Sequence, residues 1–258
     1  MLTAVLEQAV VFRKIIDAIK DLVPQVNIEA SKTGLSIQAM DSAHVSLVSL
    51  CLHENGFTKY RCDETITLGI NLNDLSKILK MAQNDDRLTL SANNEESYLT
   101  ISFENKKNGR ESECQLNLLT LESDSLGIPD TEYPTKIAMS SNEFFRICKE
   151  LTALSDTIQI EVNNKEALLR YSGKTGKGTH KLKNTTGDKE DDSITIKCEE
   201  EVNAKYGLQY LNSFSKGSSL SNKVEINLSA SFPMMINYEI ENLGFVKFYL
   251  APKMEDDQ

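Results

Sequence analysis

The 258-residue sequence has no two cysteines close together, no long apolar run and no excess of positive charge. Each absence removes a class of protein. The five cysteines (Cys51, Cys62, Cys114, Cys148 and Cys198) are odd in number and scattered. That argues against a disulfide framework and against a zinc site, and for reduced thiols. No apolar stretch reaches the ~18 residues of a membrane span. The apolar opening Met1–Phe12 contains Glu7 and lacks a cationic start, so it does not read as a signal peptide, and an intracellular protein with no membrane contact is expected. There is no metal-ligand cluster and no dinucleotide fingerprint. Gly173-Lys174-Thr175 resembles the end of a phosphate loop, but Leu168 stands where the earlier glycine is required and strands flank the segment, so a turn is expected. Asp41 and His44 are residue types of an acid–base pair with no nucleophile in a recognisable arrangement. No catalytic residue, cofactor or metal is therefore expected, and a small hydrolase is disfavoured. The net charge of −10 argues against a simple nucleic-acid binder, which is usually basic.

What is present reverses that last reading. Four segments place apolar residues at i, i+3, i+4 and i+7, the pattern of amphipathic helices. They are Phe12/Ile15/Ile16/Ile19, Leu75/Ile78/Leu79/Ala82, Phe144/Ile147/Cys148/Leu151 and Gly207/Tyr210/Leu211/Phe214. At ~100° per residue, positions +2 and +5 of each frame point away from the stripe. Those positions hold Lys14 and Asp17, Lys77 and Lys80, Arg146 and Lys149, and Gln209 and Asn212. Arg13, Lys20 and Lys216 lie beside or just beyond the same helices. An acidic chain that gathers cations on one set of helices is presenting them to a polyanion.

The helices belong to a repeat. A shift of 132 residues places Phe12 on Phe144, Lys14 on Arg146, Ile15 on Ile147 and Leu22 on Leu154, and also Leu79 on Leu211. Alternating segments such as Val224/Ile226/Leu228 follow each helix and imply antiparallel strands with one buried face. The expected architecture is α+β: two similar domains, each with two helices on antiparallel sheet. The boundaries read as residues 1–117, an acidic, proline-containing connector at 118–135, and residues 136–258. Residues 183–193 read as a polar surface loop.

Four motifs occur in order along the chain. They are Met40-Asp41-Ser42-Ala43-His44-Val45-Ser46-Leu47-Val48; Arg61-Cys62-Asp63 followed by Gly69, Leu72 and Ser76-Lys77-Ile78-Leu79-Lys80; Leu126-Gly127-Ile128-Pro129; and Leu250-Ala251-Pro252-Lys253 before an acidic tail. In these, over essentially its whole length, the chain resembles the eukaryotic sliding DNA clamps, the processivity factors of DNA polymerase. The resemblance implies the DNA clamp fold and a closed ring of three identical chains around duplex DNA, held without reading sequence. It implies a nuclear location and, as partners, DNA polymerase, a clamp loader and replication and repair proteins that carry a short peptide motif. A heterotrimeric checkpoint-type clamp is the alternative within the fold, and an inert scaffold is disfavoured by the cations. Arg61 and Arg110 join the DNA-facing set on the resemblance. The partner-peptide groove is implied at Met40, His44, Val45 and Leu47, at Leu126, Ile128 and Pro129, and at Pro233, Tyr249, Leu250, Ala251 and Pro252. Cys114 falls where the family places an aromatic residue at the subunit interface, and Gln209 where members commonly carry a cation.

Overall fold

The computed structural model describes residues 1–122, 131–186 and 193–254. The chain divides into two compact units: residues 1–42, 48–126 and 240–246 form the first, and residues 43–47, 127–239 and 247–258 the second.

In the first unit the elements run β1 (Leu2–Leu6), α1 (Ala9–Ile19), β2 (Gln25–Ser31), β3 (Gly34–Met40), β4 (Ser46–His53, in this unit from Val48), β5 (Lys59–Cys62), β6 (Ile66–Asn71), α2 (Leu72–Leu79), β7 (Arg87–Ala92), β8 (Tyr98–Asn105) and β9 (Arg110–Asn117). The second unit repeats that order: β10 (Thr135–Ser140), α3 (Ser141–Thr152), β11 (Thr157–Val162), β12 (Glu166–Gly173), β13 (Gly176–Lys183), β14 (Thr195–Cys198), β15 (Val202–Gly207), α4 (Leu208–Phe214), β16 (Lys223–Leu228), β17 (Met234–Ile240, in this unit to Glu239) and β18 (Gly244–Leu250, in this unit from Lys247). Strand order repeats as well. β5-β1-β7-β8-β9 corresponds to β14-β10-β16-β17-β18, and β4-β3-β2-β6 to β13-β12-β11-β15. All the registered pairs are antiparallel, as the alternating sequence pattern requires.

The repeat carries one correction. α1 and α3 keep the shift of 132, but α2 begins at Leu72 and α4 at Leu208, 136 residues on. The buried pair Leu75 and Leu211 therefore corresponds, rather than Leu79 and Leu211. Each helix must start where its incoming strand ends, at Asn71 and at Gly207, so residues added upstream move the whole frame. In the corrected frame Lys80 corresponds to Lys216 and Lys77 to Ser213.

Apolar stripes decide which helix face is buried. Phe12, Ile15, Ile16 and Ile19 of α1 are at most 2 % exposed. In the second unit Phe144, Ile147, Cys148 and Leu151 of α3 meet Leu208 and Leu211 of α4 over Ile158, Ile160, Leu169 and Leu182 of the sheet. Full burial of each such side chain is worth ~1.5–3 kcal/mol, so this shared layer outweighs the short helices' own propensities. Burial pushes the Cys148 thiol well up, which keeps it protonated. Asn71 caps α2, its side-chain oxygen accepting from the N–H groups of Asn73 (2.9 Å) and Asp74 (3.2 Å).

Sheet edges fall at β5, β6, β9, β13, β14 and β15. The β6 edge is covered where Leu119 donates its N–H to the Gly69 carbonyl (2.8 Å), and the β15 edge where Lys253 donates to the Lys205 carbonyl (2.8 Å). β5 and β14 are only four residues long. β9 and β13, eight residues each, have no comparable cover among the described residues.

Candidate nucleic-acid interface and partner groove

In the first unit α1 packs beside α2, and Lys20 ties them together. Its ammonium donates to Asp17 (2.5 Å) and to the Ser76 hydroxyl (3.0 Å), while Ser76 itself donates to Asp17 (2.9 Å). Lys20 is thus a helix-spacing residue with its side chain only 19 % exposed. Lys14, Lys77 and Lys80 are exposed on the side opposite the buried stripe, with Arg13 half-buried beside them. Lys77 is held by Asp74 one turn earlier (2.9 Å), whereas Lys14 and Lys80 make no ion pair among the described residues.

The second unit repeats the arrangement. Arg146 and Lys149 are exposed on α3, Arg146 bound to Glu143 (2.7 Å). That carboxylate holds the guanidinium charged, raising its pKa further. Lys216 sits in the 3-10 turn Ser215–Ser219 that follows α4, while Gln209 and Asn212 supply no charge. Exposed i,i+3 pairs such as Lys77–Asp74 and Arg146–Glu143 are screened by water and salt and contribute little, so a phosphate can displace the carboxylate.

The two cations placed by resemblance are engaged elsewhere in their own unit. Arg61 makes a two-pronged contact with Asp63 (2.8 and 3.0 Å). Arg110 pairs with Asp86, a carboxylate with no exposure that also accepts from the Gln83 N–H (2.9 Å) and the Asn105 amide (2.8 Å). Burial pushes the Asp86 pKa up, but the Gln83 and Asn105 hydrogen bonds and the Arg110 charge outweigh it and hold the carboxyl below the usual range. Sequence reading missed this network, since nothing in the spacing of residues 83, 86, 105 and 110 announces it.

The groove residues fall as follows. Met40 is half-buried at the end of β3 in the first unit, and Leu126, Ile128 and Pro129 lie outside the described residues. In the second unit the Val45 carbonyl accepts from the Ala251 N–H (3.1 Å), which ties residues 43–47 to the C-terminal segment. His44 has a φ of 55°, a left-handed conformation uncommon for a non-glycine residue, and its side chain is exposed. Val45 and Phe232 are large apolar residues at 37 % and 42 % exposure; Leu47 is half-buried and Pro233 exposed. Tyr133 donates its hydroxyl to the Pro233 carbonyl (2.9 Å). Burial, together with the Tyr249 and Tyr206 phenols, pushes the Tyr133 pKa up to about 12, so that donor persists throughout the neutral range. Tyr249, Ala251 and Pro252 are accessible, whereas Leu250 is core. Phe232 and Tyr133 were not anticipated.

Three further expectations can be placed. Cys114 is half-exposed on β9, its sulfur 3.7 Å from that of Met81 just beyond α2. Gly173 pairs with Gly176, making Lys174-Thr175 a two-residue hairpin turn. Asp41 is buried and His44 exposed. No helix is long and apolar enough to cross a membrane, and no group of three or more His, Cys, Asp or Glu able to hold a metal occurs among the described residues.

Comparison with known proteins agrees across the whole chain. Residues 1–126 match the family model described as proliferating cell nuclear antigen, N-terminal domain, and residues 127–253 the corresponding C-terminal domain. A curated relative named proliferating cell nuclear antigen, from Chaetomium thermophilum, is 43 % identical over 259 residues, covering all of both chains.

Proposed function

The chain belongs to the proliferating cell nuclear antigen family, the sliding clamps that give DNA polymerase its processivity, and we propose that it meets DNA through the exposed cations of its helix pairs and its partners through the Val45–Pro233 groove. It is not an enzyme, and it acts as a homotrimer. The checkpoint-type alternative is disfavoured, because both halves match the antigen's own domain models.

The observation that carries the DNA assignment is the repetition of cations at corresponding sites, Lys14 with Arg146 opposite the buried stripes of α1 and α3, and Lys80 at the end of α2 with half-buried Lys216 in the turn after α4. Lys77 and Lys149 widen the set, and Arg13 borders it. Flexible cations of this kind attract phosphates without reading bases, which suits a protein that must slide. Lys20 and Arg110 contribute field rather than contact, since each is held in a partly buried ion pair, and Arg61 stands apart from the helix set on strand β5. Ring closure is supported by the two long bare edges, β9 and β13: head-to-tail pairing between copies would satisfy both. Residues 118–135 serve as the connector. A clamp loader, translesion synthesis and a nuclear location complete the reading.

Reversing Lys77, Lys80, Arg146 and Lys149 to glutamate together is the test. Exposed substitutions usually change stability by only about ±0.5 kcal/mol, so the variant should fold. It should lose most of its ability to be loaded and to raise polymerase processivity. Unchanged processivity would sink the proposed lining.

A further inference from the structure

We infer that the contact between copies is an electrostatic seam, with the acidic outer row of β9 in one copy facing the basic outer row of β13 in the next. The inference rests on the ring reading above and adds what selects the partner edge and what loosens it.

Strand register assigns the charges to faces. On β9, Ser112, Cys114 and Leu116 pair with Phe103, Ile101 and Leu99 of β8, whose side chains are buried, so the inward row is apolar or small. Glu111, Glu113 and Gln115 alternate onto the outer face and are exposed. On β13, Leu182 is the buried member and packs toward α3 and α4, which sends Lys177, Thr179, Lys181 and Lys183 outward, all exposed. One bare edge is thus acidic on its outer face and the other basic, within a chain of net charge −10. If β9 and β13 join with the helices of both units on one side, the two outer rows come onto the same face.

Each edge also carries charges without an ion pair among the described residues, beside others that are partnered: Lys183 lies directly opposite Glu166 in register, and Glu113 accepts from the Ser102 hydroxyl (3.3 Å). Glu111 lies directly opposite Glu104 on β8, with Glu113 two residues along. Like charges directly opposite one another destabilise a strand pair. Glu104 has Arg87 at 3.6 Å, but Glu111 and Glu113 have no ion pair among the described residues. On β13, Lys181 reaches Glu166 (3.1 Å), and Lys177 and Lys183 have no ion pair among the described residues. Outer residues repeat every ~7 Å along a strand and neighbouring strands lie ~4.8 Å apart, so a carboxylate opposite Thr179 is flanked by the ammonium groups of Lys177 and Lys181. Closure gives both outer rows opposite charge at once. Pairing β9 with β9, or β13 with β13, would set like charges against each other, so the seam favours head-to-tail rings over two-fold dimers.

The test uses full-length chains in sedimentation and dilution series at low and high salt. With the Debye length falling from ~10 Å at 0.1 M to ~3 Å at 1 M salt, wild-type trimers should dissociate more readily at high salt. Glu111→Lys/Glu113→Lys and Lys177→Glu/Lys181→Glu should each raise the concentration at which the trimer falls apart by about tenfold or more, the scale of two or three exposed pairs. A chain carrying all four reversals restores opposite charge across the seam and should return toward wild type, whereas a mixture of the two double variants should not, because a ring of three must keep at least one like-charged interface. Thermal unfolding of each variant checks that the units themselves are intact. Trimers indifferent to salt and to both double variants, or a fourfold variant as weak as its parents, would overturn the seam while leaving the clamp reading in place. A wild-type protein that is monomeric at every concentration would overturn both.

Discussion

Asp86 shows how far a single residue can be misjudged from sequence. It sits in the polar turn before β7, where an aspartate reads as a solvated loop charge, yet it has no exposure and holds Arg110, Asn105 and the Gln83 N–H together. Arg110 in turn begins β9, so this network holds the first residue of the edge strand proposed to make the subunit contact. The Asp86 carboxyl is held below its ordinary pKa, and the folded state therefore prefers it ionised. For a depressed carboxylate the stabilisation is present above the unfolded value, near 3.9, and is lost as pH falls through the folded one. Asp86→Asn should cost about 3 kcal/mol, the lower end for a broken buried pair, because Arg110 is partly open to solvent. Urea midpoints at pH 7 and pH 3 provide the check. The variant should lose much at pH 7 and show a shallower acid transition than wild type, and equal midpoints at pH 7 would show the network to be dispensable.

Elements were legible where one face meets water and the other the core. Lys223–Leu228 and Met234–Ile240 occur with the boundaries their alternation gives. β1 was not located, because it lies between β5 and β7 and four of its five residues are buried, leaving no period of two to see. β9 was missed for the opposite reason: Glu111, Ser112, Glu113, Cys114 and Gln115 form an edge row too polar to resemble a strand. The proposed groove rests on the resemblance, and Phe232 and Tyr133 join it only through their exposure and the Tyr133–Pro233 hydrogen bond, neither of which the sequence shows. Gly69 also gains its meaning from an element rather than from its neighbours in sequence. A Cβ there would lie 2.0 Å from the Leu119 carbonyl oxygen, which belongs to the segment covering the β6 edge. Gly69→Ala should lift that segment from β6 at a cost of about 1–2 kcal/mol, roughly one lost buried hydrogen bond with some strain. Faster limited proteolysis within residues 118–122, with the global unfolding midpoint lowered only modestly, is the expected result. Unchanged cleavage would mean that the connector is anchored elsewhere.

At the scale of the whole molecule, the proposed DNA and partner contacts draw on separate sets of residues, an arrangement that would let a clamp stay mobile on DNA while gripping its partners. On that proposal the helix cations attract DNA over long range in a way that salt screens, whereas the partner groove uses accessible Val45, Phe232, Pro233 and Tyr249, with Pro233 held by Tyr133 and Val45 by Ala251. A peptide with a glutamine, an aliphatic residue three positions on and two adjacent aromatics after it forms one helical turn with its apolar side chains on one face. Its aromatics should supply most of the affinity. Val45→Glu places a charge on a side chain that is already 37 % exposed, so the fold should tolerate it, while the desolvated acid should weaken the peptide by tenfold or more, about 1.4 kcal/mol. Ile128→Glu, in the connector outside the described residues, should act likewise. The reversal at Lys77, Lys80, Arg146 and Lys149 should leave peptide affinity unchanged, and Val45→Glu should leave loading onto DNA unchanged. Titration calorimetry with that peptide and a loading assay on nicked circular DNA, applied to both variants, measure the four combinations. A Val45→Glu protein that binds the peptide as wild type does would show the groove to lie elsewhere, and one that also fails to load would show the two surfaces to be coupled.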